Sequence, residues 1–197
     1  MITLVIVDCQ NDFITGTLSM KGAKEMIEEI KNFIKLNKKE IDKILFTAQW
    51  HPYDHKSFKQ FGGTLQHHCI QFTPGACIEP KLLKLVQSYN IKYEVSTRST
   101  LKEVDQLGAF EEIEYSQDAS GRRYYFDSIA TADADTDFVI CGINVKHTLE
   151  NLLNEKITTK IFTKGMISAN STSLNRLLTI YGIEEYEQDT KKNSKKV

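Results

Sequence analysis

Short apolar runs alternate with amphipathic stretches along most of the chain, the pattern of strands and helices taking turns. Residues 3–8 (TLVIVD) are almost continuously apolar, which predicts a central strand buried on both faces. Residues 21–37 place Ile27, Ile30, Phe33 and Ile34 three and four positions apart, the stripe of a helix with one buried face. KILFTA (43–48) reads as a second strand. Residues 80–89 form a helix with Pro80 in its first turn, followed by a strand at 91–97. A helix around 122–130 leads to the strand DFVICG (137–142). A helix at 146–155, a strand at 160–167 and a helix at 173–182, closed by Gly182, complete the chain. Apolar strands separated by helices imply βαβ units, hence an α/β fold around a parallel sheet.

No internal repeat or Pro/Gly/Ser-rich linker divides this pattern, so a single domain is expected over 1–189, with a short basic tail at 190–197. The stretch between Gln49 and Gly75 carries little periodicity. It holds four of the five histidines and a Gly-Gly pair, and long irregular loops of such composition are commonly functional. Ligands of open parallel sheets sit beyond the carboxyl ends of the strands. Asp8, Gln49, Arg98 and the turn bearing Thr148 all fall at such ends.

Composition narrows the classes. At 197 residues and 41% hydrophobic content the chain can bury one full core. A net charge of −1 offers no basic field for nucleic acid or an acidic membrane, so neither is an expected partner. The N-terminus enters a strand at once, without a basic leader or a long apolar span, which predicts a chain neither exported nor membrane-bound. Cysteines at 9, 69, 77 and 141 form no CxxC pair. They read as reduced thiols of a cytoplasmic protein. Cys69 and Cys77 are buried free thiols or, with His67 and His68, metal ligands. The residues alone leave both open.

Four blocks in order, VDCQNDF (7–13), TAQWHPYDHKSF (47–58), GGTLQHHCIQFTPGA (62–76) and VICGINVKHT (139–148), resemble the isochorismatase-like cysteine hydrolases, and in particular their nicotinamidase branch. The resemblance spans nearly the whole chain. It implies a three-layer α/β/α fold with a six-stranded, mostly parallel sheet. It also implies an Asp–Lys–Cys triad that opens an amide, and a metal held by one Asp and two His that often anchors a pyridine nitrogen or a water.

Carried over position by position, the resemblance meets substitutions. Asp8 matches the family's Asp; on its residue type alone it would equally cap the following turn. The Lys position falls on Arg98, which keeps the spacing to GAF (108–110). An arginine fork favours a bidentate clamp on Asp8 and makes that carboxylate a poor base. The Cys position falls on Thr148, whose hydroxyl needs an adjacent general base to attack, or which serves as a helix N-cap. The metal-binding Asp-x-His becomes Gln49-Trp50-His51, and the second His matches His68. Two imidazoles and a neutral amide hold zinc more weakly than a carboxylate set, so the expected cofactor is none or a weakly bound zinc or manganese. His55 and His67 are nearby substitutes. Where the branch commonly stacks a Trp on its ligand, this chain has Leu65, with Phe13 and Trp50 left to keep the pocket aromatic. Asn144 and Val145 fall where the family commonly shapes an oxyanion hole with a cis peptide. They and His147 complete the expected ligand-binding set.

Nucleophile, lysine and metal carboxylate are thus all replaced while the scaffold motifs persist. The expectation is a non-catalytic member that binds a small molecule, nicotinamide-like or nucleotide-derived, in the old crevice. Arg98, His51 and His68 leave room there for an anionic group. Two other readings stand beside it: an active amidohydrolase with a rearranged nucleophile, and an oligomeric interaction module. The resemblance also implies a homo-oligomer.

Overall fold

A computed structural model of the protein describes residues 1–110, 137–169 and 171–187. The helix expected around 122–130 and the tail at 190–197 lie outside the described residues. All six residues of β1 (Ile2–Val7) are buried, as a strand with no polar face must be. The helix α1 (Asn11–Ile14) is a single turn, and α2 (Ala23–Asn37) buries Ala23, Met26, Ile27, Ile30, Phe33 and Ile34 on one stripe. Then come β2 (Ile41–Gln49), α3 (Pro80–Ser88), β3 (Lys92–Arg98), β4 (Asp137–Ile143), α4 (Lys146–Asn154), β5 (Thr159–Ile167) and α5 (Ser171–Tyr181). The helix α3 starts with Pro80 behind Glu79, whose carboxylate accepts from the Leu82 N–H at 2.6 Å.

The five strands pair in parallel in the order β3-β2-β1-β4-β5. Periodicity foresaw these five, and the resemblance a sixth. Beside β5 the described residues hold a single parallel bridge from Ile161 to Glu185. There the Ile161 N–H donates to Glu184 O at 3.0 Å and the Tyr186 N–H to Ile161 O at 2.7 Å. Glu184 and Glu185 are exposed, and only Ile183 and Tyr186 pack on the core, so the sequence has too little apolar surface there to extend the bridge.

From β1 the chain moves outward through β2 and β3, then returns to the other side of β1 for β4 and β5. Right-handed crossovers in opposite directions put α2 and α3 on one face and α4 on the other. Accordingly α2 touches α3 and the β4–β5 side of the sheet, and α4 touches α5. The result is a three-layer α/β/α fold. The order reverses between β1 and β4, and the region beyond the carboxyl ends of the strands at such a reversal is the crevice that sheets of this kind offer a ligand. Gly142 makes the close pairing there: its φ is +110°, and a Cβ would lie 2.2 Å from Val7 O. No helix among the described residues is long and apolar enough to cross a membrane.

Candidate functional site

Three strand ends that frame the crevice turn through a left-handed, non-glycine residue: Asp8 (φ 52°) after β1, Ser99 (φ 54°) after β3 and Asn144 (φ 48°) after β4. Such conformations persist only where surrounding bonds over-determine them. At Asp8 those bonds can be named. Its N–H donates to Thr47 O at 3.1 Å and to Thr47 Oγ1 at 3.2 Å, and Thr47 Oγ1–H donates back to Oδ1 at 2.9 Å. Gln49 Nε2 donates to Oδ2 at 3.0 Å, and Arg98 Nη2 forms a short ion pair with the same oxygen. Asp8 is 1% and Arg98 7% exposed, so this pair is buried. Asp8 does not cap the following turn through its side chain. Its carboxylate is spent on Thr47, Gln49 and Arg98.

The Arg98 fork is split, in contrast to the bidentate clamp expected. Nη2 goes to Asp8 and Nη1 to Gln106 O. Gln106 in turn accepts the Ser99 N–H on Oε1 at 2.9 Å and donates its own N–H to Ser99 Oγ at 2.9 Å. A closed loop from Ser99 to Gln106 thereby fixes the guanidinium.

Thr148 lies in the first turn of α4, two residues inside the helix start, so it is not the N-cap; Val145 holds that position, with no side-chain cap bond. The Thr148 hydroxyl is 1% exposed and accepts the Ala109 N–H at 3.3 Å. Asn151, one turn on, accepts the Phe110 N–H at 3.2 Å, and Gly108 sits so close that a Cβ would lie 2.0 Å from Asn151 Oδ1. The GAF turn is therefore seated on α4 above Thr148. No hydrogen bond joins Thr148 to Asp8.

The irregular loop is held by β1 through the VDCQNDF block. Gln10, fully buried, accepts the Gln49 N–H at 2.8 Å and donates to Gln49 O at 2.8 Å and Ala76 O at 2.7 Å. One side chain thus ties both ends of the loop. Asp12 accepts the Cys69 N–H at 2.7 Å, and Asn11 donates to Pro74 O at 2.7 Å. Sequence reasoning missed the roles of Thr47, Gln10 and Gln106. Only the position of Gln10 inside a strand-end motif could have signalled one of them.

Inside that loop Gln49 Oε1 lies 2.9 Å from Nε2 of both His51 and His68. The amide orientation follows from Asp8, since a carboxylate only accepts and must face the NH₂. His68 Nδ1–H donates to Gln66 O at 2.8 Å, so its Nε2 presents a lone pair to another acceptor. Burial, reinforced by His68, His55 and Arg98, pushes His51 down to about 2, while the nearby Ser99 backbone pulls the other way. Burial likewise lowers His68. At His68 a lone pair faces the amide oxygen, an arrangement a cation resolves, and a backbone carbonyl on Nδ1 is the usual support of a metal-bound histidine. His51 Nδ1 has no hydrogen-bond partner, so its Nε2 donates to Gln49 Oε1 here and would turn to its other tautomer to ligate an ion. Gln49, His51 and His68 could therefore hold a divalent ion, which would act as a Lewis acid or anchor for a ligand atom. The set brings no charge of its own, and no cluster of three His, Cys, Asp or Glu suited to a metal occurs among the described residues.

The other expected residues are placed less centrally. His55 Nε2–H donates to Val104 O at 3.0 Å and Nδ1 lies 2.8 Å from Ser57 Oγ, so both nitrogens are occupied. His67 stacks on Tyr53 at 5.1 Å. Phe13 is buried with its ring 5.6 Å from His68, whereas Trp50 packs edge-on against Phe72 at 5.5 Å. Leu65 is 42% exposed and bridges Phe58. Asn144 is exposed and its Oδ1 accepts the Ala169 N–H at 2.9 Å; Val145 is buried. No cis peptide occurs among the described residues, Asn144–Val145 included. His147 Nδ1 pairs with Glu150 at 3.1 Å on the α4 surface. Cys9, Cys69 and Cys141 are buried free thiols and Cys77 is exposed, which leaves the Cys69–Cys77 metal pairing unsupported.

The model of the isochorismatase domain matches residues 3–104, just over half of the 197-residue chain. The chain belongs to the isochorismatase family. Among curated proteins, the nicotinamidase of Saccharomyces cerevisiae is 38% identical over 60 residues, which span 29% of this chain and only 28% of that enzyme. Solved structures with the same fold include the pyrazinamidase of Pyrococcus horikoshii in complex with zinc (TM-score 0.73, 20% identity, 95% of this chain and 99% of that one). The yeast nicotinamidase bound to the inhibitor nicotinaldehyde is another (TM-score 0.74, 21% identity, 95% and 100%). These likenesses establish the fold of a family member over nearly the full chain, including the part beyond residue 104.

Proposed function

We propose that this family member has lost hydrolysis and binds a small ligand, nicotinamide-like or derived from a nucleotide bearing such a ring, in the crevice between β1 and β4. The observation that carries the reading is the separation of the would-be base from the would-be nucleophile. Asp8 spends both oxygens on Thr47, Gln49 and Arg98, and the Thr148 hydroxyl is buried against Ala109. Among the described residues no carboxylate or imidazole bonds the Thr148 hydroxyl, so it lacks the adjacent base that a hydroxyl nucleophile needs. Binding needs less. Phe13 offers an apolar wall, and the His51–His68–Gln49 donors a polar end for a ring nitrogen, a carboxylate or a weakly held divalent ion. Four free cysteines support a reducing, cytoplasmic setting, and a homo-oligomer is the proposed assembly.

Thermal unfolding of the purified protein with nicotinamide, nicotinate and nicotinamide mononucleotide tests the binding half. A concentration-dependent rise in melting temperature with at least one, abolished by Phe13→Ala, is expected. No rise with any of them removes the ligand class. Ammonia released from an amide in the same tubes would favour the rearranged hydrolase instead.

A further inference from the structure

Asp8 and the three convergent donors are joined by one amide. Gln49 Nε2 donates to Asp8 Oδ2 at 3.0 Å while Oε1, at the other end of the same plane, lies 2.9 Å from Nε2 of His51 and of His68. Hydrogen bonding of an amide N–H to a carboxylate shifts electron density toward its oxygen, so Oε1 is a better donor to a cation than a free glutamine. The same Oδ2 carries the Arg98 ion pair. Two cationic or donor groups thus compete for one oxygen, and whatever reduces the pull of Arg98 leaves more negative charge behind the amide.

We infer that Asp8 has changed employment: acting through Gln49, it is the anionic support of a weak divalent-cation site at Gln49 Oε1, His51 Nε2 and His68 Nε2, and Arg98 tunes that site downward. Asp8 and Arg98 are positioning residues here, since neither touches the ion. The backbone of Gln49 is held from both sides by Gln10, and its amide by Asp8 at one end and the two imidazoles at the other. The inference rests on reading the crevice as a binding site rather than a hydrolytic one.

Cobalt(II) titrated into chelator-treated full-length protein tests it, with visible absorption and calorimetry as readouts. Wild type should bind one Co²⁺ per chain. Asp8→Asn should weaken binding at least tenfold, the usual size of a lost outer-layer partner, and Gln49→Leu should abolish the nitrogen–oxygen d–d band. Arg98→Gln should tighten binding several-fold, a direction that damage to the fold does not produce. That variant decides the matter even if Asp8→Asn fails to fold. Binding unchanged in Asp8→Asn, weakened in folded Arg98→Gln, or absent from wild type at millimolar Co²⁺ overturns the relay. Ammonia release by wild type would sink the binding-only reading of the crevice while leaving these affinities as they are.

Discussion

Thr148 sits buried in the first turn of α4. Its hydroxyl holds the Ala109 N–H instead of facing a base. Thr148→Ala should therefore cost about 1 kcal/mol of stability, the worth of one such bond, measured by urea unfolding. Thr148→Cys alone should not create a hydrolase, because the GAF turn still covers the side chain and Arg98 still holds Asp8. Thiol chemistry separates the other candidate nucleophiles. Burial drives the Cys9, Cys69 and Cys141 thiols well above the ordinary thiol range, and only Cys77 is exposed. With the disulfide reagent DTNB at pH 8, native protein should show one fast thiol and three more only after unfolding. Fast modification of Cys141 in the folded state would reopen its candidacy. Gly142 is the residue with the least freedom: Gly142→Ala combines a positive φ with a Cβ 2.2 Å from Val7 O, and should cost at least ~2 kcal/mol.

At the scale of elements, the strands were the most readable part of the sequence. The strands β1 and β4 are buried on both faces, so their apolar runs stand out, and Asp8 and Arg98 were correctly placed at strand ends. The start of β2 was missed because exposed Asp42 and half-buried Lys43 interrupt its apolar run after Ile41. The sixth strand came only from resemblance, and the described residues reduce it to the bridge at Glu185. The site was half legible. The sequence placed Asp8, Gln49 and Arg98 at strand ends, where they meet, while the three substitutions rest on the resemblance alone. It could not reveal the Gln10 tie, the split Arg98 fork or the Gln49 bridge, since these side chains obey no period and their partners lie anywhere from 2 to 90 positions away. Gln10→Leu tests the tie. It strands one buried and two half-buried backbone groups, so a loss of roughly 2–3 kcal/mol is expected. Hydrogen exchange should rise across 49–76 and not across β4. Uniform protection in the variant would show that the loop is held elsewhere.

Across the whole molecule, the sheet brings Asp8, Gln49 and Arg98 together at the carboxyl ends of its strands, where they hydrogen-bond one another. Asp8, Gln49, Arg98, His51 and His68 form one largely buried network joined through the Gln49 amide, in which His51 Nδ1 and Arg98 Nε are left without a partner. Among the described residues none of its members bonds the Thr148 hydroxyl, which is the basis of the proposal that the protein does not hydrolyse. The measurement that decides this is ammonia release from nicotinamide and related amides by freshly purified protein, with and without zinc or manganese. The expected result is release at the rate of the buffer under every condition. Release that survives repurification and disappears in Thr148→Ala would contradict it.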